Sequence, residues 1–180
     1  MYIGSLEADD ISCWIYNTKM DYNTISYISG LYKIYDEIIV NVLDHVVRSK
    51  DSKKPVKEIR VNIDKKDGYI EVYNTGEGIE IEKHTEHNIY IPELVFGNML
   101  TSTNYDDDVE RTIGGQNGIG AKACNIYSKH FVIETVDSNK KKLYIQEFSD
   151  NMSKKTEPII TKYTKVPYTK IRFLPDYKKF

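Results

Sequence analysis

The sequence predicts an α+β fold, a two-layer sandwich with a mixed β-sheet carrying helices on one face. Three observations point there. One long stretch in the first third has helical periodicity, several later segments alternate with period two, and strands outnumber helices towards the end. The 180 residues suit one domain covering 1–180, and no internal repeat divides them.

The first strong element begins after Ser29-Gly30 and runs from Leu31 to Arg48, a helix by length and periodicity. The polar run Ser49–Pro55 ends it. Glu58–Asp64 and Tyr69–Tyr73 alternate as strands, with Lys65-Lys-Asp-Gly68 as the hairpin turn between them. A glycine loop, Asn74-Thr-Gly-Glu-Gly78, follows, and a second helix is expected from about Pro92 to Leu100. Thr101–Gly120 is polar, glycine-rich and too long for an ordinary connection, and loops of that length are usually functional. Ala121–Ser128 reads as a short helix, and Phe131–Val136, Leu143–Phe148 and Thr169–Leu174 as strands.

Composition excludes several classes. Hydrophobic residues make up 40% and charged residues 29%, which fits neither disorder nor a membrane protein. The start, Met1-Tyr-Ile-Gly-Ser-Leu-Glu7, lacks the basic and apolar regions of a secretory signal. Two cysteines, Cys13 and Cys124, build neither a disulfide framework nor a Cys-rich zinc site, so an intracellular, reduced protein is expected. A net charge of −2 argues against nucleic-acid binding by this piece alone.

Three motifs carry chemistry. On the first helix, Glu37, Asn41, Asp44 and Arg48 fall within roughly 60° of one another, while most of the remaining circumference is apolar. A helix so apolar is largely buried, and its polar stripe then needs either solvent or a ligand-filled cleft. Asn74–Gly78 directly follows a strand, and its glycines permit close backbone approach or positive φ, as an ordinary tight turn also would. Gly114-Gly-Gln-Asn-Gly-Ile-Gly-Ala-Lys122 leads into a helix, where successive backbone N–H groups can surround phosphate oxygens. It is no Walker loop, since no Gly-Lys-Ser/Thr follows. It also fails the dinucleotide context, because the polar Asp106–Arg111 precedes it in place of a strand.

Together the three motifs resemble the nucleotide site of the GHKL superfamily, whose members include gyrases, heat-shock chaperones, histidine kinases and mismatch-repair ATPases. Tyr2-Ile-Gly-Ser5, Gly30–Asn41, Leu100–Asp108, Gly114–Lys122 and Arg172–Asp176 narrow the resemblance to the N-terminal ATPase domain of eukaryotic-type DNA topoisomerase II, a type IIA isomerase. It covers essentially the whole chain and implies a GHKL (Bergerat) fold.

The resemblance implies ATP and Mg²⁺ as ligands and assigns roles. Glu37 would be the general base for the attacking water, and Asn41 the Mg²⁺ ligand through its amide oxygen. Asn74 would read the adenine amine, with Ile79 in the adenine loop and Thr169 supporting the base through its hydroxyl. Ser102, Thr103 and Asn104 match the segment that contacts ribose and phosphates. Gly115, Gln116, Asn117, Gly118, Ile119, Gly120 and Ala121 would wrap the triphosphate, and Lys122 would add positive charge. Asp44 is assigned to the site's architecture. Three positions depart from the family pattern: Gln116 replaces an arginine, and His45 and Thr75 each replace an asparagine.

The resemblance also implies a homodimeric parent that acts on DNA, located in the nucleus of a cellular eukaryote or in the host cell of a virus. The chain lacks the usual N-terminal strap, the transducer and the DNA-cleavage region, so a fragment that is monomeric alone is expected. Two alternatives stay open, another GHKL ATPase of chaperone or histidine-kinase type, or a non-hydrolysing nucleotide-dependent assembly module. His84-Thr-Glu-His87 has ligand spacing, but no further Cys or His cluster completes a zinc set, so no metal is expected there. Lys140-Lys-Lys142 reads as a solvated hairpin end.

Overall fold

The computed structural model describes residues 3–98 and 120–180. The chain opens with two antiparallel strands, β1 (Ala8–Tyr16) and β2 (Met20–Ile28), which pair only with each other. Helix α1 (Ser29–Ser49) follows, then β3 (Ile59–Ile63), β4 (Ile70–Thr75), α2 (Ile91–Gly97) and α3 (Gly120–Ile126). The remainder is β5 (Ser128–Asp137), β6 (Lys142–Ser149), β7 (Lys154–Lys155), β8 (Ile159–Lys162), β9 (Tyr168–Pro175) and a closing 3-10 turn at Tyr177–Lys179.

Seven strands form one sheet in the order β3-β4-β9-β5-β6-β7, with β8 also pairing β6. Every pairing among the described residues is antiparallel, where a mixed sheet was expected. The reason is the position of β9: it lies antiparallel between β4 and β5, which run the same way and so do not pair with each other.

Period two sorts the sheet's faces. Ile70 and Val72 of β4, Ile171 and Phe173 of β9, Phe131 and Ile133 of β5, and Tyr144 and Phe148 of β6 all point inward and are at most 9% exposed. Against them α1 lays Ile34, Ile38 and Val42, spaced one turn apart, and the other helices add Phe96, Ala121, Ala123 and Cys124. α1 and α3 pack side by side, and Asn125 of α3, fully buried, donates to the Phe96 carbonyl of α2 at 3.0 Å. Helices and sheet thus form the two expected layers.

Boundaries moved modestly. α2 spans Ile91–Gly97, and α3 stops at Ile126 because Ser128 already enters β5. The hairpin β1–β2 was not anticipated.

Candidate active site

At one end of the apolar inner face the sheet turns polar. Asn74, Thr169 and Thr135 are register neighbours across β4, β9 and β5, so the three side chains form one row. Asn74 is 3% exposed and Thr135 fully buried, so each needs internal partners. The Thr135 hydroxyl lies 2.8 Å from that of Thr169 and accepts the Ile79 N–H at 3.0 Å. Asn74 donates one amide hydrogen to the Thr75 carbonyl, and its Nδ2 lies 3.0 Å from His45 Nδ1. Burial, then the nearby Arg48 charge, lowers the His45 pKa, which keeps the ring neutral and able to accept. With both amide hydrogens engaged, Asn74 keeps its Oδ1 as an acceptor.

The loop after β4 is pinned onto the end of β5. Gly76 has φ +114° and donates to the Pro167 carbonyl at 3.2 Å, while Gly78 donates to the Val136 carbonyl at 3.1 Å. A Cβ on Gly78 would strike that carbonyl, so only glycine permits the approach. The Ile81 N–H donates to Asp137 at 3.0 Å. Burial works against the Asp137 carboxylate, but N–H donors from Ile81, Lys140 and Asn139 outweigh it and hold its pKa below the usual range. Lys140 pairs with Glu82 and, at 3.6 Å, with Glu80, tying the same loop to the β5–β6 turn. That lysine is therefore part of a charge network rather than a solvated end.

On the helical side, Glu37 sits where α1 meets the start of α3. A Cβ built on Gly120 would overlap the Glu37 carboxylate, so the first residue of α3 leaves room for that acid. Lys33 grips the same group one turn earlier, at 2.7 Å from Oε1, and also pairs with Asp36 at 3.2 Å. The hydrogen bond to Glu37, then that to Asp36, raises the Lys33 pKa. Asn41 and Asp44 lie half-buried on the same helix, and Arg48 is exposed. Lys122 is half-buried on α3, and burial lowers its pKa, a cost that a nearby anion would offset.

The structure thus places Glu37 against the start of α3, which carries Gly120, Ala121 and Lys122, and Asn74, Ile79 and Thr169 in one linked polar row. Ser102, Thr103, Asn104, Gly115, Gln116, Asn117, Gly118 and Ile119 lie outside the described residues. Sequence reasoning missed Lys33, Thr135 and Asp137. Thr135 was findable, since it continues the inward alternation of Phe131 and Ile133 with a hydroxyl. Two departures gain roles: His45 takes up the Asn74 amide, and Thr75 accepts the N–H groups of Lys57 and Glu58, both at 3.0 Å, at the entrance to β3.

An α+β sandwich whose polar end combines an acid on a core helix with an amide and two hydroxyls on the sheet has the form of a nucleotide-hydrolysing domain. The chain belongs to the family of histidine kinase-, DNA gyrase B- and HSP90-like ATPases, which matches residues 27–162, and its nucleotide is ATP. It is 50% identical over 186 residues to DNA topoisomerase 2 of Acanthamoeba polyphaga mimivirus, covering 99% of this chain and 14% of that protein. It is 49% identical to DNA topoisomerase 2 of Candida albicans, covering 99% of this chain and 12% of that one. The solved ATPase region of Saccharomyces cerevisiae topoisomerase II superposes with a TM-score of 0.87 at 46% identity, over 99% of this chain and 47% of that one. The ATPase domain of Thermus thermophilus gyrase B, at 21% identity and TM-score 0.64 over 84% of this chain and 35% of that one, shares the fold. The chain spans between 11% and 14% of the length of these curated relatives. Among the described residues no helix is long and apolar enough to cross a membrane.

Proposed function

We propose that this chain is the ATP-driven switch of a type II DNA topoisomerase, in which nucleotide binding closes a dimeric gate and hydrolysis resets it. The observation that carries the reading is 46–50% identity to topoisomerase II proteins over 99% of the chain. DNA is handled by the longer protein, and the isolated domain is monomeric and hydrolyses ATP slowly. The protein works in the nucleus of a eukaryote or, for a viral member, in the host cell.

Glu37 serves as general base. Its carboxylate orients the attacking water and takes its proton, while Lys33 and the close passage of Gly120 fix where the acid points. Asn74 offers Oδ1 to the adenine amine, and the Thr135–Thr169 pair holds the Ile79 loop at the base's edge. The residues present suit Mg²⁺: Asn41 has the hard amide oxygen such an ion prefers, on the same helical face as Glu37. When bound, Mg²⁺ neutralises charge on the phosphate oxygens. Ser102, Thr103, Asn104 and the 115–119 glycine run are assigned the ribose and phosphate contacts, and Lys122 of α3 adds positive charge.

The test is Glu37→Gln in the full-length protein. It keeps the side chain's shape and removes its basicity, so nucleotide affinity should hold while phosphate release falls by about 10²-fold or more. Wild-type turnover by this variant would mean that another group is the base.

A further inference from the structure

We propose that the turn between Lys83 and Tyr90 carries a site for a transition-metal cation of the zinc class, held by His84, Glu86 and His87. This site is separate from the Mg²⁺ position assigned to Asn41. In the sequence His84 and His87 have ligand spacing but no further Cys or His cluster completes a zinc set; the fold brings the Glu86 carboxylate up to the two imidazoles. One ligand atom from each of the three side chains lies within 4.8 Å of the others, the only such group among the described residues. Ligands around a single cation at 2.0–2.2 Å are separated by about 3–4.5 Å, so small side-chain movements suffice.

The turn is built to keep these groups together. Lys83 and Tyr90 form an isolated antiparallel bridge at its base. Inside it the His84 N–H donates to the Ile89 carbonyl at 2.8 Å and the Asn88 N–H to the His84 carbonyl at 2.9 Å, with Asn88 at φ +52°. The imidazoles of His84 and His87 stack with centroids 4.9 Å apart and planes 25° from parallel. His84 Nδ1 turns its lone pair into the loop, where it accepts a long 3.3 Å bond from the Glu86 N–H. A cation would replace that weak donor, leaving the ring proton on Nε2. The competing local cation is drawn aside, because the Lys83 ammonium lies 5.6 Å from the centroid of the Tyr90 ring.

The donor set decides the metal. Two imidazole nitrogens and one carboxylate favour Zn²⁺, Co²⁺ or Ni²⁺ over Mg²⁺, which selects oxygen ligands. Three protein ligands leave a position open to water, unlike a closed four-ligand structural site. Occupancy would brace the loop that starts at Ile79 on the polar row and ends at α2.

The test is calorimetric titration of the nucleotide-free chain with Zn²⁺ in excess Mg²⁺, followed by Co²⁺ binding read through its visible absorption. One equivalent should bind. His84→Ala and His87→Ala should each weaken binding by about 10-fold or more, with a smaller loss for Glu86→Gln, while His130→Ala changes nothing. His87→Cys replaces one ligand with another and should retain binding, which guards against a loss caused by disturbing the turn. Equal Zn²⁺ affinity in wild type and the His84→Ala variant, or displacement of Co²⁺ by Mg²⁺, would overturn the proposal.

Discussion

Gly120→Ala tests the geometry around Glu37 without touching the acid itself. The backbone at Gly120 does not lie at positive φ, so alanine suits it, and Gly→Ala at a compatible position typically stabilises by about 0.4–1 kcal/mol. The obstacle is the carboxylate: the new methyl would sit 3.0 Å from Glu37 Cγ and would overlap Cδ and Oε2 outright. Restoring ordinary contact at about 3.5 Å requires the acid to retreat by about 1–2 Å. The obstructing atoms are the far end of a flexible side chain, so the fold accommodates the change by swinging Glu37 away and lengthening its ion pair with Lys33. Misplacing a catalytic group by about 1 Å can cost about 10²-fold, equivalent to about 2.7 kcal/mol on the barrier. Thermal unfolding should therefore show a variant at least as stable as wild type, while phosphate release by the full-length protein falls by about 10²-fold. Turnover within about twofold of wild type would show that the acid's contact with α3 does not set its working position.

Three further outcomes follow from the polar row and its neighbours. A non-hydrolysable ATP analogue with Mg²⁺ should raise the unfolding temperature more than its GTP counterpart, because Asn74 offers an acceptor and guanine lacks the exocyclic amine at that position; equal shifts would refute the adenine contact. Thr135→Val leaves the Ile79 N–H and the Thr169 hydroxyl without their buried partner, at a cost of about 1–3 kcal/mol in denaturant unfolding, and a neutral result would mean the row is not held by that hydroxyl. The lowered pKa of His45 makes the unfolded chain bind more protons between the folded value and the unfolded value of about 6.5. Its contribution is therefore complete above about pH 6.5 and lost as pH falls below it. Unfolding free energies measured down this range should decline less steeply in His45→Asn, and identical slopes would remove His45 from the account.

The elements most legible in the sequence were those buried on one side only. α1 declares itself because Ile34, Ile38 and Val42 recur at helical spacing, and β4, β5, β6 and β9 because inward and outward residues alternate. The hairpin β1–β2 offers no such signal. On one of its faces lie Trp14, Tyr16, Met20 and Tyr22, between 54% and 72% exposed; on the other lie Ile11 and Ile25, about 40% exposed. With apolar residues on both faces the pattern loses its period, and periodicity alone then assigns neither helix nor strand. β7 and β8 were missed for the opposite reason, since two and four residues are too few to establish alternation.

The site was legible in proportion to how locally each residue acts. Glu37 and Asn41 share a face of one helix, so their spacing alone reveals the polar stripe. Thr135 and Thr169 lie 34 positions apart, and what joins them is strand register, which no local pattern encodes. The same holds for Glu37 and Gly120: the glycine reads as part of a phosphate-cradling run, and its second duty, making room for the acid, exists only once α1 and α3 are packed. That double use ties the two halves of the chemistry together. The helix that begins at Gly120, the last glycine of the run, is the helix that limits where Glu37 can point. A change at position 120 should accordingly act on turnover through position 37, and Glu37→Gln combined with Gly120→Ala should lose no more activity than Glu37→Gln alone.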